Sequence, residues 1–128
     1  MKLYFGLGLA MLAGTAIGAG AINGLNAQGK APGAYAVIEI SEVTNADEYK
    51  KMGAIGGPAA TAGGGHFVVR TDKVTATDGD PPKRVVIIGF DSMDKLKAWN
   101  ASAAQKEVDA LRLKTTKSRQ FFVDGFSN

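Results

Sequence analysis

The sequence predicts an α+β domain built in the order β-α-β-β-α-β, with the second helical stretch divided in two. Three observations carry this. The run Arg84 to Trp99 (RVVIIGFDSMDKLKAW) opens with a buried strand, Val85 to Phe90, and passes directly into a helix. Asp91 or Ser92 can accept from the first free helical N–H groups, and Asp94 adds negative charge to the first turn. Two capping-box patterns, Asn45 with Glu48 and Ser102 with Gln105, mark further helix starts. Tyr35 to Glu42 and His66 to Thr71 alternate as strands do.

The bulk numbers bound the rest. The chain has 128 residues, no cysteine and a formal net charge of +3. That length holds one domain. Without cysteine there are no thiol nucleophiles, zinc-thiolate sites or iron–sulfur clusters, and an exported domain this short must rest on its core or on a second subunit. The charge is too small to argue for nucleic acid.

In chain order, Met1 to Ile22 carries one charge, Lys2, ahead of an apolar run with a small-x-small cleavage site after Ala21. Cleavage after Ala27 is less favourable, because Leu25 stands three positions upstream. The run is also long enough to span a bilayer. Residues 1–27 are therefore assigned as a signal peptide or membrane anchor, 28–33 as a linker and 34–128 as the folded domain. Both versions predict an exported protein, in a bacterial periplasm, touching membrane only through an uncleaved start.

The first strand should set Ala36, Ile38 and Ile40 against Tyr35, Val37 and Glu39. The first helix, from near Ala46, should carry Tyr49, Met52, Gly56 and Ala59 on one stripe. It is expected to kink or break at Gly56-Gly57-Pro58 and to resume briefly to Ala62. Gly63-Gly64-Gly65 ends it. In the second strand, Phe67 and Val69 are expected on one face, and His66, Val68 and Arg70 on the other. Val74 to Thr77 either continues that strand or starts a hairpin arm, and Asp78 to Pro82 forms a stiff loop. After the third strand, Met93, Leu96 and Trp99 face inward from a helix ending near Asn100. A further helix over Ala103 to Thr115 should line its inner side with Ala104, Val108, Leu111 and Thr115. A last strand runs from Arg119 to Val123.

This order is the ferredoxin-like arrangement, an antiparallel four-stranded sheet with helices on one face. The economical cover for the other face is a second copy, which predicts a homodimer.

An ordered series of residues also resembles a known family. It comprises Ala34-Tyr35-Ala36-Val37, Asp47-Glu48-Tyr49, Gly64-Gly65, Arg70 and the Asp78 to Pro82 loop. Val85 to Phe90 with Ser92-Met93, Ala98-Trp99 with Ser102, and Val123-Asp124-Gly125 complete it. The series resembles the domain-of-unknown-function family DUF1330, within the dimeric α/β-barrel superfamily, over about Ala34 to Gly125. The resemblance implies two ferredoxin-like subunits joined sheet to sheet, and no particular reaction. Gly89 stands where the family often has an acid, Asp78-Gly79 where it has Glu-Gly, and Thr71-Asp72 where it has a Gly-rich turn. The first departure weakens any mechanism that needs a carboxylate on the third strand.

Candidate chemistry is sparse. His66 is the sole histidine and the residue type suited to proton transfer near neutral pH. It and Arg70 are the weak catalytic candidates, though no acid is visible to orient the imidazole. One histidine without thiols makes no ordinary zinc site, so no metal is expected. The glycine triplet lacks the Lys-Ser/Thr of a phosphate loop, Asp78 and Asp80 lack EF-hand spacing, and no cofactor is implied. Asn100-Ala101-Ser102 matches a glycosylation sequon that a bacterial export route would not use. Arg112, Lys114, Lys117 and Arg119 form a basic cluster in which Arg112 and Arg119 could grip an acidic ligand. Tyr35, His66, Arg70, Trp99 and Arg112 are accordingly the candidate pocket residues. The sequence reads as a small-ligand-binding or accessory domain. The alternative, implied by the barrel superfamily, is a cofactor-independent oxygenase or isomerase acting on a small, partly apolar acid.

Overall fold

The computed structural model describes residues 31–126, so the leader and residues 28–30 of the linker assigned above lie outside the described residues. The elements are β1 (Ala34–Val43), α1 (Ala46–Ala62), β2 (His66–Thr71), β3 (Arg84–Phe90), α2 (Met93–Ala101), α3 (Ala103–Thr115) and β4 (Thr116–Asp124). The strands form one antiparallel sheet in the order β2-β3-β1-β4. That is the ferredoxin-like topology. Among the described residues no helix is long and apolar enough to cross a membrane.

Alternation along β1 sets the two faces of the sheet. Ala34, Ala36, Ile38 and Ile40 are buried, whereas Tyr35, Val37 and Glu39 are half-buried on the other side. The alanines leave room above the sheet for the large side chains from the helices. Trp99 and Leu96 come down from α2 beside Phe90 and Ile88 of β3, with Ala60 of α1 against the same cluster. The Phe90 and Trp99 rings lie 5.0 Å apart at 39°. A buried tryptophan of this kind loses roughly 3–5 kcal/mol on truncation to alanine.

The glycine triplet shows why that cluster closes. Gly64 has φ +82, Gly64 N donates to Thr61 O at 3.0 Å, and Gly65 N donates to Ala60 O at 2.8 Å, a Schellman ending for α1. Gly63 and Gly65 serve a different need. A Cβ on Gly63 would lie 2.6 Å from Trp99 Cδ1, and one on Gly65 would lie 2.7 Å from Phe90 Cζ. The chain passes close under both rings because these two residues have no side chains.

Expectations about three of these elements are corrected by the structure. First, α1 runs unbroken through Pro58. Pro58 and Ala54 are both exposed, so water can replace the hydrogen bond lost to the Ala54 carbonyl, while Ala59 and Ala60 hold the last turn by burial. Second, the inner face of α3 carries Gln105, Val108, Arg112 and Thr115; Ala104 is exposed and Leu111 only half-buried. Polar side chains occupy the inner stripe because partners meet them there. Third, β2 slips register between Phe67 and Val69, leaving the exposed Val68 as an extra residue. The bulge breaks simple alternation. Phe67 pairs with Ile88 and Arg70 with Val86, both on the helix-covered face, whereas His66 and Val69 pair with Gly89 and Ile87 on the uncovered one.

The capping residues behave as the sequence reading expects. Asn45, Ser92 and Ser102 accept from Glu48 N, Lys95 N and Gln105 N. Ser102 Oγ also donates to Trp99 O at 2.7 Å, so one serine ends α2 and starts α3. Lys51 hydrogen-bonds Glu48 at 2.8 Å and holds its carboxyl below the usual carboxylate range. Val74 to Thr77 forms neither strand nor hairpin and belongs to an irregular 72–83 loop.

Two glycine substitutions should move stability in opposite directions. Gly65→Ala is expected to lose roughly 1–3 kcal/mol through overpacking against Phe90. Gly53→Ala, whose new Cβ meets nothing within 4 Å, is expected to gain about 0.5–1 kcal/mol through helix propensity. Urea denaturation of the two variants beside the parent checks both signs.

Candidate functional site

The helices do not lie flat on the whole sheet. Over the start of β3, between the sheet, α1 and α3, a cavity of about 240 Å³ remains. Its floor is Ile38 and Ile40 of β1 with Val86 and Ile88 of β3. Trp99 and Phe67 line it as well, and both adjoin or belong to the Phe90 cluster. Tyr49 and Met52 of α1 and Val108 of α3 contribute from the helices. Gly53, Gly56 and Gly57 give α1 a bare flank along the cavity, and a Cβ at Gly53 or Gly57 would meet nothing within 4 Å.

The charged groups gather at one end. Arg84 stands opposite Ile40, and Arg70 stands opposite Val86, two residues further along β3. Arg112 comes down from α3, and Lys50 stands on α1; all four cations line the cavity. The carboxylate among the lining residues is Asp109. Arg112 is 8% exposed; its Nη1 donates to Ser118 Oγ at 2.9 Å, and its Nε lies 3.5 Å from Asp109 Oδ1. Gln105 Nε2 donates to the same Asp109 oxygen at 3.2 Å. Among the described residues Arg70 and Arg84 pair with no carboxylate. The Arg70 guanidinium instead lies 4.9 Å from the centre of the Phe67 ring.

Three buried atoms here make no hydrogen bond: Trp99 Nε1, Gln105 Oε1 and Arg112 Nε, the last held only by its ion pair with Asp109. Trp99 and Gln105 are each only 2% exposed. A buried donor or acceptor without a partner costs about 1–3 kcal/mol, and natural folds seldom leave several in one place.

The candidate residues read from the sequence divide between the two faces. Arg70, Trp99 and Arg112 come together at the cavity. Tyr35 and His66 lie on the uncovered face, both in register with Gly89. A Cβ on Gly89 would lie 2.8 Å from Pro32 Cγ and 3.1 Å from His66 Nε2, so Gly89 leaves room for the proline and the imidazole above it. His66 and Arg70 therefore lie on opposite faces of the sheet. Arg112 and Arg119 are likewise divided, because Arg119 pairs with Glu39 on the uncovered face. Arg84, Gln105 and Asp109 are cavity residues that the sequence reading missed. Arg84 was legible in the alternation of β3, two residues before Val86. Gln105 and Arg112 share helical spacing with Val108, but a search for apolar stripes passes over them. Among the described residues no group of three or more His, Asp or Glu side chains is placed to hold a metal ion.

The uncovered face is the second feature. Val37 has Ile87 and Phe121 on either side, and Val69 lies beyond Ile87. Phe121 and Val123 are each 39% exposed.

Comparison with known proteins agrees with this architecture. The family model described as Domain of unknown function (DUF1330) matches residues 33–126. No curated protein sequence matches the chain. The chain is similar in structure to RPA0582, a protein of unknown function from Rhodopseudomonas palustris. The TM-score is 0.61 at 15% identity, with 77% of this chain and 85% of that one covered. It is also similar to SnoaB, a cofactor-independent oxygenase from Streptomyces nogalater, with TM-score 0.53, 15% identity and coverage of 77% and 97%. A dimeric ferredoxin-like protein of unknown function from Jannaschia sp. gives TM-score 0.56, 10% identity and coverage of 71% and 97%. At these identities the likeness is one of fold.

The two arginines named from the sequence should separate in a stability measurement. Arg112→Ala strands Asp109 and is expected to cost roughly 3 kcal/mol. Exposed Arg70→Ala is expected to stay within about 0.5 kcal/mol of the parent. Chemical denaturation of both variants checks this.

Proposed function

The chain belongs to the domain-of-unknown-function family DUF1330, and on that footing we propose that it is a homodimer that binds a small, partly apolar molecule in the cavity of each subunit. The observation that carries the ligand is the cavity itself: an apolar chamber lined at its edge by Arg70, Arg84, Arg112 and Asp109. The observation that carries the dimer is the apolar outer face of the sheet, too continuous for a surface left in water. Solved structures of the same fold described as dimeric support it. Sheet-to-sheet pairing covers Val37, Ile87 and Phe121 and leaves the cavity, on the opposite face, accessible in both copies.

A second reading keeps the cavity and adds chemistry: a cofactor-independent oxygenase or isomerase acting on a small, partly apolar acid. The likeness to SnoaB favours it at the level of fold. On this reading Tyr49 and Asp109, which line the cavity, are the available proton-transfer groups, and His66 on the far face is not. The apolar run from Leu3 to Ile22 supports export, as a cleaved signal peptide or a membrane anchor, and mass spectrometry of the mature N-terminus distinguishes the two.

Sedimentation of the parent should give a dimer at micromolar concentration, and Val37→Lys should give a folded monomer. A stable parent monomer overturns the dimer. A thermal-shift screen of small hydrophobic acids and neutral analogues should find compounds that raise the melting temperature, since saturating a site to 100 times Kd adds about 2.7 kcal/mol. If an activity is found, Asp109→Asn should abolish it and His66→Ala should leave it intact.

A further inference from the structure

The cavity has a polarity as well as a volume. Its floor and walls are apolar from Ile88 to Ile40, while its charges converge where β3 begins. At that end Arg70, Arg84, Arg112 and Lys50 face a single carboxylate, Asp109. Asp109 is already engaged by Arg112 and Gln105. Arg70 and Arg84 are left without an anion on neighbouring strands of one sheet face. The whole chain carries a formal charge of only +3, so this concentration of positive charge is local to the cavity.

From this arrangement we propose that the ligand is a monocarboxylate whose apolar body lies toward Trp99 and whose carboxylate is taken by Arg70 and Arg84, with Arg112 behind them. The inference rests on the cavity being the ligand site and adds the charge of the ligand to that reading. A guanidinium fork matches a carboxylate in geometry, and it does so best where apolar walls thin out the water. Arg112 is positioned by Asp109 and Ser118 and fixes the depth of the site; Arg84, half-buried and unpaired, supplies the discriminating charge.

Trp99 is the sole tryptophan and lines the cavity, so its fluorescence reports occupancy. The probes are cyclohexanecarboxylate and its neutral isostere cyclohexanecarboxamide, neither of which absorbs with the indole. The carboxylate is expected to bind at least tenfold tighter than the amide, and Arg84→Gln should reduce that ratio severalfold. Arg70→Gln, at an exposed position, provides a second variant should Arg84→Gln fail to fold, and it should narrow the same ratio. Equal binding of acid and amide overturns the charge assignment and leaves the cavity as the ligand site. Binding of neither probe, with melting temperature also unmoved, overturns the cavity reading and the inference together. A ratio unchanged in both folded variants overturns the role given to the arginines.

Discussion

The packing of Trp99 on Phe90 sets the rest of the structure. The two rings meet at 5.0 Å over the end of β3, and the chain leaving α1 clears them only because Gly63 and Gly65 lack side chains. This fixes the distance between the helices and the sheet at one end of the domain. At the other end, among the described residues, no comparable pair of rings fills the layer. Ile38, Ile40 and Val86 floor a space that α1 borders with glycines. The cavity follows from a layer that is held apart by large residues at one side and left thin at the other.

A four-stranded sheet presents two faces, and here they carry different sets of residues. The helix-covered face carries Arg70, Arg84, Trp99 and Arg112 around the cavity. The uncovered face carries Val37, Ile87, Phe121 and the Glu39–Arg119 pair, with Tyr35 and His66 beside Gly89. The bulge at Val68 makes the division between Arg70 and His66 possible. Without the extra residue, even spacing would have placed both side chains on one face. A single inserted position thus separates the imidazole from the guanidinium, and with it the simplest acid–base story.

Much of the fold was legible because local signals agreed with one another. Three caps fell where the sequence placed them, β2 had its expected limits, and the glycine triplet ended a helix. The site was legible only in part. Trp99, Arg70 and Arg112 were named from their residue types, yet the group they were placed with also held Tyr35 and His66. Two physical facts account for this difference in placement. A bulge is a property of strand pairing and leaves little trace in one strand's sequence. The inner stripe of α3 contains Gln105 and Arg112, which an apolar search rejects although their partners Asp109 and Ser118 make burial tolerable. The same reasoning explains why α1 survives Pro58: tertiary packing overrides propensity where the lost hydrogen bond faces water.

The central claim is that one face of the sheet holds the ligand and the other holds the second subunit. A crystal structure of the domain grown with cyclohexanecarboxylate tests it most directly. The account predicts two subunits joined through Val37, Ile87 and Phe121, with the carboxylate in each cavity between Trp99 and the arginines. Ligand density between the two sheets, beside His66 and Gly89, with the cavity holding only water, would contradict it.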